Sequence, residues 1–157
     1  MGGRVGEWAG TARFSSAEPN KWRTMNHWLL RSEPDAYSWD DLVRDGVTEW
    51  DGVRNYTARN FLKDMKVGDR AIFYHSNIGK EAVGIMEVAR AWKPDGDDGK
   101  WASVSMKPVR PLPKPVTLAD MKAEARLQEM ILLKQSRLSV GPVSDAEWKV
   151  LMEMASE

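Results

Sequence analysis

The chain has 157 residues, no cysteine, and equal numbers of basic and acidic side chains, so its formal net charge is zero. This length suits one domain with its own hydrophobic core, and the absence of cysteine excludes disulfides, thiol catalysis and thiolate metal sites. Because tight non-specific binding to nucleic acid requires many Lys and Arg side chains, a neutral domain should bind such a partner through a specific pocket or a small local patch.

Residues 1–24 do not have the pattern of a folded segment. They are rich in Gly, Ser, Ala and Pro and lack hydrophobic periodicity, which predicts a disordered tail ahead of a folded domain at 25–157. An alternative is that Met25 is the natural start. No apolar run approaches the ~20 residues that cross a bilayer, and 1–24 lack the apolar stretch of a secretory signal. We therefore expect a cytoplasmic protein without a membrane partner.

The first predicted elements of the domain are a strand and two helices. Residues 26–31 have the composition of a short strand, and the Ser-Glu-Pro-Asp turn at 32–35 ends it. A capping box at 38–41 opens a short helix that stops at Gly46. Residues 55–65 have the periodicity of a second helix, and the segment around Trp50 is predicted as the loop between the two.

The remaining segments favour strands in the middle of the chain and helices towards its end. Strands are predicted at 70–76, 82–92, 101–109 and 137–143, and helices at 118–125, 127–134 and 144–154. Gly84 interrupts its strand, which indicates a bulge or a close approach of backbone. About five strands with peripheral helices predict an α+β domain built on a small, partly closed β-barrel, since short antiparallel strands close to hide their edges.

The most informative stretch is 50–61, which combines large aromatic, guanidinium and carboxamide side chains around Gly52. A core helix would carry Leu and Ile there, and a surface evolved for solubility would carry Glu and Lys. Trp, Tyr, Arg and Asn are the side chains that stack on planar rings and read their edges. The stretch therefore predicts the wall of a binding pocket for a flat, polar ligand.

Four side chains of this stretch are candidates for base binding. Trp50 and Tyr56 could stack on a base, and the alternative is that they are core aromatics. Asn55 offers a paired donor and acceptor for a base edge, although it could equally cap a helix. Arg54 could bind a phosphate or stack on a base, with a surface ion pair as the alternative.

Further candidates lie where predicted strands end. Ser32 and Glu33 follow the first strand, and Glu33 could accept a hydrogen bond from an exocyclic amine, or both could simply form the turn. His75 and Ser76 end a strand at what we expect to be the same mouth, although a lone His is more often structural.

Ser139 and Pro142 could complete the pocket floor, or serve only the local turn. On the polar side of the predicted second helix, Arg59 and Lys63 are candidate phosphate contacts, with a solvated helix face as the alternative.

Four blocks of the sequence resemble the signatures of the EVE domain family; they lie at 28–34, 50–62, 73–77 and 137–140. The resemblance runs from Met25 to about Met154 and adds Trp28 to the candidate residues. It implies a PUA-like fold related to the YTH domains, which recognise methylated adenine in RNA. For function it implies recognition of a modified base, such as a modified cytosine or methylated adenine, flipped out of DNA or RNA into an aromatic-lined pocket.

The chain departs from the family pattern in one respect. Only a short turn separates Trp92 from Trp101, where we expect many relatives to carry a longer acidic, proline-containing loop. If such a loop forms part of the pocket rim, the choice of ligand here differs from theirs.

Catalysis has little support in the sequence, and no metal or cofactor is expected. The chain has two histidines, no cysteine, and neither metal-ligand spacing nor a glycine-rich phosphate loop. His75 and Ser76 are adjacent on a strand and so point to opposite faces, which argues against a nucleophile and base pair. Two alternatives to a modified-base reader remain: a PUA-like RNA-binding protein without modification dependence, and a pocket for a nucleotide-like small molecule. The sequence carries no signal for an oligomeric state.

Overall fold

The computed structural model describes residues 26–135 and 137–156, and the predicted tail at 1–24 lies outside the described residues. Within this part of the chain there are six strands, five α-helices and one turn of 3-10 helix at Ala125–Leu127. The strands are β1 (His27–Ser32), β2 (Thr48–Trp50), β3 (Arg70–His75), β4 (Glu81–Pro94), β5 (Ala102–Thr117) and β6 (Val140–Val143). The helices are α1 (Trp39–Asp45), α2 (Tyr56–Asp64), α3 (Leu118–Ala123), α4 (Ile131–Lys134) and α5 (Asp145–Ala155).

All six strands form one sheet in the order β2-β5-β4-β3-β1-β6. The mixed α+β class is as predicted, but two features of the sheet differ from the prediction. The described residues contribute six strands instead of about five, and the ladder is open, with β2 and β6 at its two edges. In addition, β1 and β3 pair in parallel, whereas the other four strand pairs are antiparallel.

The additional strand is β2, in a segment that the sequence pattern predicts to be a loop. It has only three residues, and it pairs with β5 through Glu49 opposite Ser105 and Trp50 opposite Val104. Three residues are too few to show the alternation by which a strand is recognised, so only the long-range pairing reveals it. None of the helices in the described part of the chain is long and apolar enough to cross a bilayer.

The helix starts follow the local sequence. Ser38 accepts from the backbone N–H of Asp41, whose carboxylate accepts in return from the Ser38 backbone, and this capping box opens α1. Ser144 and Glu147 form the same arrangement at the start of α5. Both capping boxes predicted from the sequence are thus confirmed.

The sheet separates two hydrophobic clusters because side chains alternate between its faces. Leu30 and Phe73 point into a cluster covered by α1 and α2, whereas Leu29 and Ile72, each one residue away, belong to the cluster covered by the C-terminal helices. The candidate site described below lies on the side of α1 and α2.

Gly84 lets α1 approach the sheet closely. A Cβ atom at this position would lie 2.5 Å from Cζ3 of Trp39, the first residue of α1. The registers of β4 with β3 and with β5 also shift next to Gly84. Of the two alternatives predicted for this glycine, the bulge is confirmed, and the Gly84 backbone is in addition approached closely by the Trp39 side chain.

Candidate binding site

A cavity of about 560 Å³ opens between the turn that follows β1 and the segment formed by β2 and the loop after it. This volume lies in the range of typical small-molecule sites. Its lining residues are Arg31, Ser32, Glu33, Ala36, Tyr37, Thr48, Glu49, Trp50, Asp51, Gly52, Val53, Arg54 and Ser139. The structure thus brings together five of the candidate residues, namely Ser32, Glu33, Trp50, Arg54 and Ser139.

Trp50 forms an aromatic wall of the cavity and is also part of the core. It is 9% exposed, and its ring lies nearly perpendicular to that of Phe73 with the centroids 5.5 Å apart. Phe73 makes similar perpendicular contacts with Trp39 and His75. Such aromatic packing restricts the indole, so the wall is rigid before any ligand arrives. The two alternatives considered for Trp50, pocket wall and core aromatic, therefore both apply.

Glu49 places a fixed negative charge in the cavity lining. Arg90 donates to both of its carboxylate oxygens, at 2.8 and 2.6 Å, and the hydroxyls of Ser103 and Ser105 donate to it as well. Because these donors, Arg90 foremost, favour the charged form, they lower the pKa of Glu49 to about 2. With so many donors already bound, Glu49 offers little acceptor capacity to a ligand, and the Arg90 guanidinium balances its charge.

Glu33 and Asp51 are exposed carboxylates of the cavity lining, and among the described residues both have unused acceptor capacity; Glu33 is the one selected from the sequence. Its side chain is exposed, and within the described residues its carboxylate makes no hydrogen bond, although its backbone oxygen accepts from the N–H groups of Ala36 and Tyr37. The Ser32 hydroxyl donates to the backbone oxygen of Tyr37 at 2.6 Å and so holds the same turn. The turn chemistry considered for Ser32 and Glu33 is present, and it leaves the Glu33 carboxylate available to a ligand.

The rim of the cavity is held by the short turn between Trp92 and Trp101. Asp95 of this turn accepts from the backbone N–H of Gly52 at 2.9 Å and from Nη1 of Arg54 at 3.0 Å. These two donors, the Gly52 backbone first, lower the pKa of the Asp95 carboxyl. Gly52 has a φ of +76°, a conformation that favours glycine. The turn at which a departure from the family pattern is expected therefore contacts the rim.

Trp28, Ser76 and Pro142 do not line the cavity. Trp28 is 4% exposed and donates its indole N–H to the buried carboxylate of Asp69 at 3.0 Å. Pro142 pairs with Trp28 across the β1–β6 ladder, and the backbone N–H of Ser76 donates to the oxygen of Ser32. These contacts serve the sheet and the core.

Asn55 and His75 also have structural partners. The Asn55 side chain caps α2 by accepting from the backbone N–H of Ala58 at 2.9 Å. His75 accepts through Nε2 from the backbone N–H of Trp39 at 3.1 Å, and burial lowers its pKa. A neutral His75 thus stabilises the start of α1, and for both residues the structural alternative describes the contacts observed.

The remaining candidates, Tyr56, Arg59 and Lys63, lie on α2 outside the cavity lining. Tyr56 is 55% exposed and stacks on Trp101 with the centroids 4.9 Å apart. The Arg59 guanidinium lies 4.8 Å from the centroid of the Tyr56 ring, and Nζ of Lys63 lies 4.6 Å from that of Trp92. Tyr56 is therefore not a core aromatic.

The sequence pattern did not single out Tyr37 and Glu49, which also line the cavity. Tyr37 directly precedes the capping box of α1 and lies close in sequence to Ser32 and Glu33. This position is the only local indication that Tyr37 belongs to the site. Nothing in the neighbouring sequence indicates a site role for Glu49, because its hydrogen-bond partner Arg90 is 41 residues away. In the described ranges no group of three or more His, Asp or Glu side chains could hold a metal ion.

The site defines a class of protein. A rigid aromatic wall, an exposed carboxylate and a guanidinium around one cavity suit a flat ligand with hydrogen-bonding edges. The molecule is a small α+β domain with such a cavity beside the edge strand β2.

The family follows from comparison with known proteins. The sequence model of the EVE domain family matches residues 26–154, and the chain therefore belongs to that family. Human thymocyte nuclear protein 1 is 31% identical over an alignment that covers 89% of this chain and 79% of that protein. A crystal structure of human THYN1 protein in complex with 5-methylcytosine-containing DNA has a TM-score of 0.79 and 30% identity, covering 84% of this chain and 98% of that one.

Two other solved structures bear on the fold. A crystal structure of a protein from Agrobacterium tumefaciens has a TM-score of 0.82 and 43% identity, covering 83% of this chain and 93% of that one. The YTH domain of the Zygosaccharomyces rouxii MRB1 protein, solved with N6-methyladenosine RNA, has a TM-score of 0.52 at 12% identity and covers 83% of this chain and 86% of that one. At that identity the YTH likeness concerns the fold alone.

Proposed function

We propose that this chain is a non-catalytic, PUA-like binding domain that recognises a modified base in nucleic acid, with the base extruded into the cavity at Trp50. The observation that carries the proposal is the cavity itself, whose lining combines the rigid Trp50 wall with the unoccupied Glu33 carboxylate. It is supported by the human relative, which is solved with DNA that contains 5-methylcytosine. A modified cytosine in DNA is therefore the first ligand to test.

The chemistry of the lining fits a cytosine. A carboxylate accepts from the exocyclic N4 amine of cytosine, and in this proposal that acceptor is Glu33. Trp50 supplies a flat apolar surface against the ring, and Val53, which is 7% exposed, supplies an apolar contact for a methyl group. Arg54 lies at the rim, where it can contact the phosphate next to the extruded nucleotide.

The charge of the chain agrees with a mode of binding in which the pocket dominates. With a formal net charge of zero over the chain, contacts with phosphates are limited to small local groups of cations. Affinity for the modified base should therefore depend only weakly on salt. A general RNA-binding surface would instead produce a steep salt dependence.

A fluorescence titration of the full chain tests the proposal. The probes are 12-nucleotide DNA and RNA strands that carry one central cytosine or 5-methylcytosine, or one adenine or N6-methyladenine. We expect one modified probe to bind about three- to tenfold more tightly than its plain counterpart, since the two differ by one methyl group and burial of a methyl group contributes about 1 kcal/mol. Equal binding of modified and plain probes would contradict the proposal and favour modification-independent RNA binding.

Two further comparisons separate the remaining explanations. Glu33→Gln should weaken binding of the 5-methylcytosine probe, whereas Asp97→Asn, which changes an exposed acid outside the cavity lining, should leave this affinity unchanged. A free modified nucleoside should bind more weakly than the same base within the oligonucleotide. Equal affinity for the two would indicate a small-molecule pocket.

A further inference from the structure

A partly exposed strip of aromatic rings and cations begins at the mouth of the cavity. The Arg54 guanidinium, which lines the cavity, lies 5.3 Å from the centroid of the Trp101 ring. Trp101 stacks on Tyr56, and the Arg59 guanidinium lies 4.8 Å from the centroid of Tyr56. These four residues form what we call the strip, and the contact between Lys63 and Trp92 is a second aromatic and cation pair that involves α2.

Packing of the core does not account for these rings. Tyr56 is 55% exposed and Trp92 is 40% exposed, and in the described residues neither they nor Trp101 belong to the two hydrophobic clusters. Exposed aromatic rings that carry cations are characteristic of surfaces that bind nucleic acid strands, where the rings present the guanidinium groups in fixed positions.

The cations farther from the cavity are not paired with carboxylates of the described residues, so they are available to an anionic partner. Arg59 donates to the backbone oxygen of Lys100 at 2.9 Å and to the side-chain oxygen of Asn60, both of which are neutral acceptors. Within 26–135 and 137–156, neither Arg59 nor Lys63 forms an ion pair with a carboxylate. Arg54, in contrast, is paired with Asp95 at the rim. The described part of the chain therefore provides Arg59 and Lys63 with no direct carboxylate partner on the part of this surface that leads away from the cavity.

We infer that the strip binds the sugar–phosphate backbone of the nucleotides on one side of the extruded base. The inference rests on the proposed function and extends it from the base to the flanking strand. Trp101 and Arg59 already contact the Tyr56 ring, so the ring acts as a platform that orients guanidinium groups towards phosphates. Because Arg54 belongs to both the cavity lining and the strip, the strand leaves the cavity mouth in a single direction.

Binding of the full chain to DNA strands of different lengths tests whether the strip contacts the backbone beside the extruded base. The shortest probe is a DNA trinucleotide with a central 5-methylcytosine, and two longer probes add six nucleotides on either the 5′ or the 3′ side. We expect one of the two extensions to raise the affinity about tenfold and the other to have little effect. Tyr56→Ala and Arg59→Ala should each abolish most of that gain while binding the shortest probe as the wild type does.

Two control variants show whether the Tyr56 ring and its guanidinium partner cause the gain in affinity. Tyr56→Phe keeps the ring and should retain the gain, and Arg110→Ala removes an exposed cation outside the strip and should also retain it. Tyr56 and Arg110 are both exposed, so these substitutions should not disturb folding.

The outcomes separate the strip from the proposed function. If neither extension raises the affinity, or if Tyr56→Ala and Arg59→Ala keep the gain, the inference is overturned even where the modified base is preferred. If the shortest probe binds equally with and without the methyl group, the modified-base proposal fails. A gain on extension that Tyr56→Ala still abolishes would then support the strip as a nucleic acid surface in its own right.

Discussion

The rings of Trp50 and Phe73 lie nearly perpendicular, at 84°, with their centroids 5.5 Å apart. This contact connects the cavity to the core, because Phe73 is fully buried on the central part of the sheet while Trp50 also lines the cavity. The wall of the candidate site is therefore as rigid as the core behind it.

Substitution of Trp50 should affect both stability and binding, to degrees that depend on the replacement. Trp50→Ala should lower the free energy of unfolding by about 3–5 kcal/mol, because it leaves a cavity beside Phe73. Trp50→Phe should keep the fold but bind the modified oligonucleotide about tenfold more weakly, since the smaller ring covers less of the base. Urea denaturation and fluorescence anisotropy with a labelled probe measure the two effects.

Trp28→Phe provides the matched control for this prediction. Trp28 is also buried, but it does not line the cavity, so its substitution should lower stability without changing the affinity. If Trp28→Phe and Trp50→Phe weaken binding equally, loss of stability and not loss of the wall explains the effect.

Gly84→Ala should destabilise the domain by about 3 kcal/mol or more. The added methyl would lie 2.5 Å from the Trp39 ring, which is 8% exposed and packed against Phe73, so neither partner can move easily. Thermal unfolding followed by circular dichroism measures the loss. Combining Gly84→Ala with Trp39→Leu should cost less than the sum of the two single substitutions, and strict additivity would contradict the clash.

The bonds to Glu49 lead to a prediction about acid stability. The folded-state pKa of Glu49 is lowered to about 2, so its contribution is fully present above the ordinary pKa of about 4.5 and is lost as the pH falls towards 2. Arg90→Met should raise this pKa and reduce stability at neutral pH by about 1–2 kcal/mol, since both side chains remain partly exposed to water. Carbon-13 NMR titration of the Glu49 carboxyl measures the pKa directly, and an unchanged value in Arg90→Met would refute the role of Arg90.

Both histidines of the chain should make the protein less stable in mild acid. Burial, the largest cause in each case, lowers the pKa of His27 and of His75 below the ordinary value of about 6.5. The unfolded chain therefore binds protons first as the pH falls, and the stability present above pH 6.5 is progressively lost below it. Urea denaturation between pH 7.5 and 5.5 should show this decline.

Single substitutions distinguish the contributions of the two histidines. His75→Gln and His27→Gln should each remove part of the pH dependence, and the double variant should be almost independent of pH in this range. An unchanged slope in the double variant would mean that another group titrates there.

Local features of the fold were predictable from the sequence because their causes are local. The capping boxes at Ser38 and Ser144 depend on residues three positions apart, and Gly84 stands out inside an otherwise regular strand. Strand β2 and the parallel pairing of β1 with β3 were not predictable in this way. Both depend on partners that lie far apart in the sequence, so no periodicity within either segment reports them.

The residues of the candidate site also differ in whether the local sequence reveals their role. Trp50, Arg54 and Glu33 could be selected because their chemistry and their position beside a strand end are visible in the sequence. Asn55 and His75 have equally suitable chemistry, but their acceptor atoms already bind backbone N–H groups at the starts of α2 and α1. For His75 the donor is 36 residues away, so only the folded structure reveals the competition.

The central claim is that a modified base occupies the cavity at Trp50, and the indole N–H resonances test it most directly. The chain has eight tryptophans, and Trp50→Phe assigns the Trp50 signal in a proton–nitrogen NMR spectrum. On addition of a 5-methylcytosine oligonucleotide, we predict large shifts for the Trp50 indole and the Gly52 amide, and little change for the Trp28 indole, which is bonded to Asp69. An unshifted Trp50 indole at saturating oligonucleotide, with shifts clustered elsewhere on the domain, would contradict the account.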